Sequence, residues 1–307
     1  MKNKIRASVA ILLVCGGLGM AFYPWISNWA YDRTVQSEVK VYERETGTAD
    51  AGETERQWNL ARQYNKALTD SVMALTDPFV TTGKNTGTSL KELYETALRR
   101  NEEGLMCFVE IPKIQVYLPV YHGTSERVLK CGAGHLQNSA LPVGDFGCRP
   151  VISAHSGVST SKMFSDLTEL EEGDLFYLHV LEQIFAYRVC EIQVIWPDET
   201  DMLLAQKDRD LVSLLTCTPY GVNTQRLVVT GERAKDDLTG FTEKSGKDAV
   251  AETLESDWMK NYRRALTAGV SIVAVTVISR MMIQKRKQSR RRIFEGRDSI
   301  GSGDRSG

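Results

Sequence analysis

The sequence lacks the features that mark several common classes of protein. It has no excess of one charge, because 38 Lys and Arg residues balance 39 Asp and Glu residues to a net charge of -1, which excludes a global attraction to nucleic acid. It has only four histidines and six cysteines, with no CxxC pair and no Cys/His spacing typical of a metal site. It has no internal repeat, and low complexity is confined to the closing Gly/Ser/Arg tail, which we expect to be disordered.

The chain does contain two apolar runs, one near each end. Residues 7–22 follow three basic residues, and residues 265–279 continue past Arg280 to residue 283 and precede a dense basic tail. Both runs approach the roughly 20 residues that span a bilayer, and the flanking basic residues place both termini in the cytoplasm. We therefore predict that the region between residues 31 and 262 is exported. A small-x-small pattern at residues 19–21 leaves a cleaved signal peptide as the alternative for the first run.

An odd number of cysteines falls in the exported region: Cys107, Cys131, Cys148, Cys190 and Cys217. If Cys217 is a reactive thiol, the other four could form up to two disulfides or remain buried thiols. We favour buried thiols, because a domain of this size needs no covalent crosslinks to be stable.

The exported region changes in character at residue 105. Before it, a helical pattern over residues 29–75 is interrupted at Gly47 and Gly52, which predicts two helices, and a further helix is predicted over residues 89–100. After it, short apolar runs are separated by Gly, Pro and Asp. The predicted strands are 107–111, 114–120, 150–155, 175–180, 184–196, 211–217 and 227–232. Many strands with few helices indicate a β-barrel or a β-sandwich.

A thiol, an imidazole and a guanidinium are predicted at three strand ends. The run 211–217 ends in Cys217, a Pro/Gly/Asn turn follows, and the returning strand begins near Arg226, while another run ends in His155. A cation beside a thiol favours a thiolate or a developing oxyanion, and an imidazole serves as general acid and base. Together these groups predict acyl transfer through a cysteine, and structural roles for each remain the alternative. We expect the remaining histidines to be structural: His122, His135 and His179.

Several motifs in the same region resemble those of one enzyme family. Residues 213–217, SLLTC, are similar to the TLxTC signature of sortases, with Ser213 in place of the first threonine. Other motifs resemble those of class C, the pilus-assembling branch of the family. They are IPKI (111–114), YHGTS (121–125), GHL (134–136), LPVG (141–144), CTPYGVN (217–223) and the second apolar run. The resemblance covers residues 64–233. It departs from the family at Cys107, where glycine is frequent, and at Ser156, where arginine is frequent.

The resemblance implies a mainly β fold with an eight-stranded sortase-type barrel. Short helices connect some of the barrel strands, and a helical segment precedes the barrel. Transmembrane helices flank the helical segment and the barrel. The resemblance also implies that Cys217 is the nucleophile, His155 the general acid and base, and Arg226 the cation that stabilises the substrate or its oxyanion. No metal and no organic cofactor are expected.

A lid is implied by the same resemblance. In class C sortases an Asp-Pro-aromatic loop covers the active site, and Asp77, Pro78 and Phe79 resemble it. Asp77 would then pair with Arg226, and Phe79 would shield Cys217 from water. Without the resemblance, these residues would be interpreted as an Asp-Pro turn that ends a helix.

The predicted organisation divides the chain into six segments. They are a membrane span or signal-like segment (1–30), a helical segment with the lid loop (31–103), the catalytic barrel (104–235), a linker with a juxtamembrane helix (236–262), a transmembrane helix (263–284) and a basic cytoplasmic tail (285–307).

The resemblance implies a cysteine transpeptidase in the cell membrane of a Gram-positive organism, with the catalytic domain on the extracellular face. It would cleave an LPxTG-like sorting signal of a pilin or surface-protein precursor, hold the acyl group as a thioester, and join it to a lysine amine of a pilin as an isopeptide. Membrane lipid is an expected partner and nucleic acid is not. Two alternatives remain: a sortase that anchors surface proteins to peptidoglycan, and a non-catalytic membrane-anchored binding domain.

Overall fold

The strand-rich region closes into an eight-stranded barrel in the computed structural model, as the family resemblance implies. Its strands are β1 (Leu105–Ile111), β2 (Val116–His122), β3 (Ala133–His135), β4 (Val151–Ser153), β5 (Leu175–Val180), β6 (Gln183–Ile195), β7 (Leu211–Thr218) and β8 (Gln225–Arg233). Their order around the barrel is β1-β2-β3-β4-β7-β8-β6-β5. The β2–β3 and β4–β7 pairs are parallel and the other pairs are antiparallel. β3 is the strand that the sequence pattern does not predict, because three residues are too few to show a period.

The structure describes residues 2–47, 50–70, 75, 79, 88–156, 162–234, 262–273, 275–276 and 278–283. Its helices are α1 (Lys2–Gly47), α2 (Ala51–Thr69), α3 (Thr88–Thr96), α4 (Glu126–Cys131) and α5 (Tyr262–Ile283). The chain divides into two units, Met1–Leu254 and Glu255–Gly307. The barrel and α1–α4 belong to the first unit, and α5 belongs to the second.

Gly47 separates the first two helices as predicted, whereas Gly52 lies inside α2 and does not interrupt it. α2 is attached to the barrel by the side chain of Asn65, which is buried. Its amide nitrogen donates to the carbonyl oxygen of Leu141 at 3.0 Å, and its amide oxygen accepts from the backbone N–H of the same residue at 2.7 Å. Because these paired bonds fix α2 against the β3–β4 loop, the chain that leaves α2 starts from a defined place beside the barrel.

α5 is, within the described residues, the one helix that is long and apolar enough to cross a membrane. The first apolar run of the sequence lies within α1, and its role as a membrane span or a signal segment stays a prediction. The predicted linker, juxtamembrane helix and basic tail lie outside the described residues, apart from the end of the linker at Tyr262.

Candidate active site

Three neighbouring strands bring the predicted catalytic residues to one level of the barrel. β4 and β7 are parallel and pair Ser153 with Leu215, so His155, two residues farther on, lies level with Cys217. β7 and β8 are antiparallel, and their register pairs Cys217 directly with Arg226. Cys217 therefore lies on the central strand of the three, with the imidazole on one side and the guanidinium on the other. Neighbouring strands are about 4.7–4.9 Å apart.

The three side chains lie on the outer face of the barrel wall. Side chains alternate between the two faces along a strand, and directly paired residues share a face. Thr216 is buried, Cys217 and His155 are partly exposed, and Arg226 is buried at 6% exposure. The structure thus brings together the thiol, the imidazole and the guanidinium that the sequence selects. Their catalytic roles remain predictions.

Three hydrogen bonds fasten the ends of β4 and β7 to each other. The backbone N–H of Ala154 donates to the carbonyl oxygen of Leu215 at 3.2 Å, and the Thr216 hydroxyl donates to the carbonyl oxygen of Ala154 at 2.7 Å. Past the last paired residues of the two strands, the Ser156 hydroxyl donates to the carbonyl oxygen of Cys217 at 2.6 Å. These bonds hold the histidine between Ala154 and Ser156 beside the thiol, although neither residue belongs to the regular part of β4.

The ring of Phe79 lies between the two side chains that flank the cysteine. Its centroid is 5.7 Å from the ring centroid of His155, with 37° between the planes. The guanidinium carbon of Arg226 lies 5.1 Å from the same ring centroid, a cation–π contact. The ring therefore lies across the level of Cys217. Asp77 and Pro78 lie outside the described residues, so the pairing of Asp77 with Arg226 stays a prediction.

An apolar cluster continues from this level along the outer face of the wall. One of its members is Leu75, which is 7% exposed. The Leu75 carbonyl oxygen accepts a hydrogen bond from the Thr200 hydroxyl at 3.2 Å, and Phe79 packs against the cluster. The other members come from four strands, the end of β3 and the β6–β7 loop: Leu136, Val151, Ile195, Leu203, Leu215 and Val228. Leu75 and Phe79 together thus cover the apolar surface beside the cysteine.

The environment of His155 favours the neutral imidazole. Partial burial lowers the pKa of His155 below its usual range, because the charged form is less well solvated there. The Glu126 carboxylate on α4 opposes this shift and the Lys130 ammonium adds to it. Glu126 and Lys130 form an exposed ion pair at 2.6 Å, so their effects on the imidazole partly cancel. A neutral imidazole at neutral pH can accept a proton from a neighbouring thiol.

The guanidinium of Arg226 is oriented by the turn between β7 and β8. One terminal nitrogen donates to the carbonyl oxygens of Asn223 and Gln225, each at 3.0 Å. Asn223 has a φ of 61°, a left-handed conformation that asparagine tolerates better than most residues. A permanently charged group fixed in this way can stabilise an anion that develops at the cysteine.

The other three histidines each have hydrogen-bonding or ionic partners within the barrel, in keeping with the structural roles expected for them. His122 has both ring nitrogens 2.9 Å from backbone carbonyl oxygens. His135 is fully buried with one ring nitrogen 2.8 Å from the carbonyl oxygen of Ala140, and burial lowers its pKa to about 3. His179 lies in β5, 2.7 Å from the carboxylate of Glu110. These contacts do not involve Cys217, His155 or Arg226.

The four other cysteines that lie between residues 31 and 262 are free thiols, and two of them are buried. Burial raises the pKa of both Cys107 and Cys148, that of Cys148 to about 12. Cys190 is partly exposed and Cys131 is exposed, so the expectation of buried thiols is wrong for Cys131. It ends the short helix α4, whose apolar face is already supplied by the buried Val128 and its neighbour. In the described part of the chain, no group of three or more His, Cys, Asp or Glu residues is arranged to hold a metal ion.

Comparison with known proteins agrees with this geometry. The family model for the sortase domain matches residues 109–234. Sortase C of Streptococcus pneumoniae is 36% identical, with 64% of this chain and 96% of that chain aligned and a TM-score of 0.57. Sortase C-1 of Actinomyces oris is 40% identical, with 59% and 97% aligned and a TM-score of 0.55. Sortase A of Bacillus anthracis is 26% identical over 232 residues, 75% of this chain and 95% of that protein.

The chain belongs to the class C sortases. Two of its departures from the family pattern have structural partners. The Ser213 hydroxyl accepts from the Arg149 guanidinium at 2.8 Å, and the same guanidinium donates to Thr230 at 2.9 Å. The Ser156 hydroxyl holds the carbonyl of Cys217 in this sortase, as described above. Cys107, the third departure, is buried in the barrel wall on β1.

Two residues at the site are missed by reading the sequence of this sortase. Leu75 looks like the last apolar position of a helical pattern, and nothing in the sequence shows that it covers a cluster on the barrel. Ser156 stands out only as a departure from the family, and its bond to the Cys217 carbonyl depends on the β4–β7 register. Both contacts join segments that are far apart along the chain, so local patterns do not reveal them.

Proposed function

We propose that this sortase cleaves an LPxTG-like sorting signal and joins the released acyl group to a lysine amine of a pilin subunit. The observation that carries the proposal is the arrangement of Cys217 between His155 and Arg226 at one level of adjacent strands, beneath the ring of Phe79. The family supplies the transpeptidase class, and the strand-end geometry supports these three residues as its machinery.

In the first half-reaction, His155 takes the thiol proton of Cys217 as the sulfur attacks the carbonyl carbon between threonine and glycine of the signal. Negative charge develops on the carbonyl oxygen, where the guanidinium of Arg226 stabilises it. His155 then returns the proton to the leaving amine, the peptide bond breaks, and a thioester remains on the cysteine.

In the second half-reaction, a neutral lysine amine attacks the thioester carbon. His155 accepts a proton from the attacking nitrogen and returns it to the sulfur as the C–S bond breaks. The products are an isopeptide bond and a restored thiol. Exclusion of water favours this transfer over hydrolysis of the thioester, and the apolar cluster beside the cysteine helps to exclude it.

We propose further that residues 75–79 form a lid that closes the unoccupied site. Phe79 contacts His155 and Arg226, and Leu75 fills the apolar surface along the same face. Asp77 would add an ion pair to Arg226. If closure is worth ~2 kcal/mol, about 3% of molecules are open at rest. A sorting signal would bind by displacing the lid from this face.

A pilin is the favoured acceptor because of the similarity to Streptococcus pneumoniae sortase C, whose structure is described with respect to pilin substrate specificity. We place the catalytic domain on the outer face of the membrane, anchored by α5, with the basic tail in the cytoplasm. The apolar character of α5 supports an anchor. The orientation rests on the basic residues that follow α5 in the sequence.

The test is to incubate the full-length protein in detergent with a sorting-signal peptide or a pilin precursor, and to identify adducts by mass spectrometry. We expect an acyl adduct on Cys217 and pilin dimers joined through lysine, both absent with Cys217→Ala. Acyl groups found on peptidoglycan amines and never on pilin lysines would contradict pilin joining. A Cys217→Ala protein that still joins pilins would overturn the hypothesis that Cys217 is the nucleophile of an enzyme.

A further inference from the structure

Ser153 carries a buried hydroxyl that has no hydrogen-bond partner among the residues that the structure describes. Its side chain is 0% exposed. A buried polar group left unsatisfied is unfavourable, and nearly all such groups in native proteins have a partner. The exception at Ser153 therefore needs a reason.

The position of Ser153 supplies one. It lies on β4 two residues before His155 and is paired with Leu215 on β7, two residues before Cys217. Leu215 belongs to the outer apolar cluster, whereas Ile152, which directly precedes Ser153 on β4, belongs to the core inside the barrel. Because side chains alternate along a strand, Ser153 faces the same outer surface as Leu215 and the active site.

The spacing between Ser153 and Cys217 suits contact with one extended peptide. From the active-site level, each two-residue step along the strands is about 6.6 Å, which places Ser153 within reach of an extended peptide whose scissile carbonyl lies at Cys217. Leu75 and Phe79 pack on the apolar cluster of the same face. Leu75 and Leu203 also line an open groove of about 720 Å³, so the groove adjoins the apolar cluster.

We propose that Ser153 is a substrate-binding residue whose hydroxyl hydrogen-bonds the main chain of the sorting signal once the lid has moved aside. A hydroxyl can donate to a peptide carbonyl or accept from a peptide N–H. The apolar cluster alone would bind the side chains of the peptide without fixing the register of the peptide along β4. A hydrogen bond from Ser153 to the peptide main chain would fix that register. The closed lid leaves the hydroxyl unpartnered, so the bond is gained on substrate binding. The inference rests on the proposed function and deepens it.

The test compares Ser153→Ala with Ser213→Ala. Both serines are fully buried, but the Ser213 hydroxyl accepts from Arg149 at 2.8 Å. Ser213→Ala should therefore lower the urea midpoint of unfolding, whereas Ser153→Ala should leave it unchanged or raise it. At the same time, Ser153→Ala should lower kcat/KM for a sorting-signal peptide roughly threefold to tenfold, the share of one hydrogen bond.

A double-mutant cycle locates the bond on the peptide. The cycle uses sorting-signal peptides in which one amide at a time is replaced by an ester. Their affinity for full-length Cys217→Ala/Phe79→Ala protein, with and without Ser153→Ala, is measured by fluorescence anisotropy. We expect one ester position to weaken binding only when Ser153 is present. Equal effects at every position would overturn the assignment to the main chain.

Other outcomes separate the two proposals. A Ser153→Ala protein that loses stability like Ser213→Ala would show a structural hydroxyl and overturn the inference. Unchanged kcat/KM and binding, with normal cleavage by the wild type, would also overturn it and leave the proposed function intact. If the wild type forms no Cys217 adduct with any sorting-signal peptide, the proposed function fails.

Discussion

Truncation of Phe79 tests whether the segment from Leu75 to Phe79 closes the active site. In the structure the ring contacts the imidazole of His155 and the guanidinium of Arg226, and it packs on the apolar cluster. Phe79→Ala removes all three contacts while leaving the barrel core unchanged. The expected result is a larger open population, and hence faster reaction of Cys217 with a thiol reagent.

The size of the effect follows from the contacts. A cation–π pair at a partly exposed site contributes about 0.5–1 kcal/mol, and the partly buried ring adds about 1 kcal/mol of apolar contact. If closure is worth ~2 kcal/mol and the truncation removes ~1.5 kcal/mol of it, the open population rises from about 3% to about 30%. Labelling limited by opening should then accelerate about tenfold.

Peptide-mapping mass spectrometry makes the assay specific to one thiol. Cys131 is exposed and should react at the same rate in every variant, so it serves as an internal standard. Phe146→Ala is the matched control, because Phe146 is 65% exposed and lies on the β3–β4 loop. If Cys217 reacts within about twofold of the wild-type rate in Phe79→Ala, the ring does not shield it and the lid hypothesis is wrong.

Three further predictions address the lid, the strand ends and the pH dependence. Asp77→Ala should speed both Cys217 labelling and cleavage of a sorting peptide, because the proposed ion pair to the guanidinium is lost, and Asp77→Glu should retain part of the slow labelling. Ser156→Ala should lower kcat about threefold to tenfold and lower the urea midpoint only slightly, because one partly buried hydrogen bond that positions Cys217 is lost. Ser156→Thr should restore most of the activity, and full activity in Ser156→Ala would show that the bond has no positioning role. His135 has a folded pKa of about 3 against 6.5 in the unfolded chain, so the unfolded state binds more protons and stability is lost as pH falls below 6.5. Between pH 7.5 and pH 5 the loss from this residue should be about 2 kcal/mol. Urea midpoints should fall less steeply with acid in His135→Gln, and parallel curves for the two proteins would contradict the assignment.

The predicted elements hold where the pattern is long enough to be read. Most of the longer strands and the break at Gly47 lie where hydrophobic periodicity and breaking residues such as glycine and proline predict them. The three-residue strand β3 is missed, and Gly52 is accommodated within the first turn of α2, where tertiary contacts along the rest of the helix outweigh its low helix propensity. The exposure of Cys131 is also missed, because the burial of a short helix depends on what packs against it.

The residue types of the candidate site were readable from the chain alone. A cysteine at the end of an apolar run, an arginine after the following turn and a histidine at another strand end define a chemistry before any contact is known. Their common level was not readable. It depends on the parallel register between β4 and β7, which joins residues far apart in sequence.

The sequence by itself determined the reactive groups, the mainly β character of the domain and the apolar segment of the C-terminal helix, because residue identity and periodicity are local properties. Only the tertiary structure decided that Phe79 lies between His155 and Arg226, that Leu75 covers the neighbouring apolar face and that the buried Ser153 hydroxyl has no partner among the described residues. These facts arise from packing between distant segments, and packing is fixed by the register of the whole barrel, which no single segment encodes.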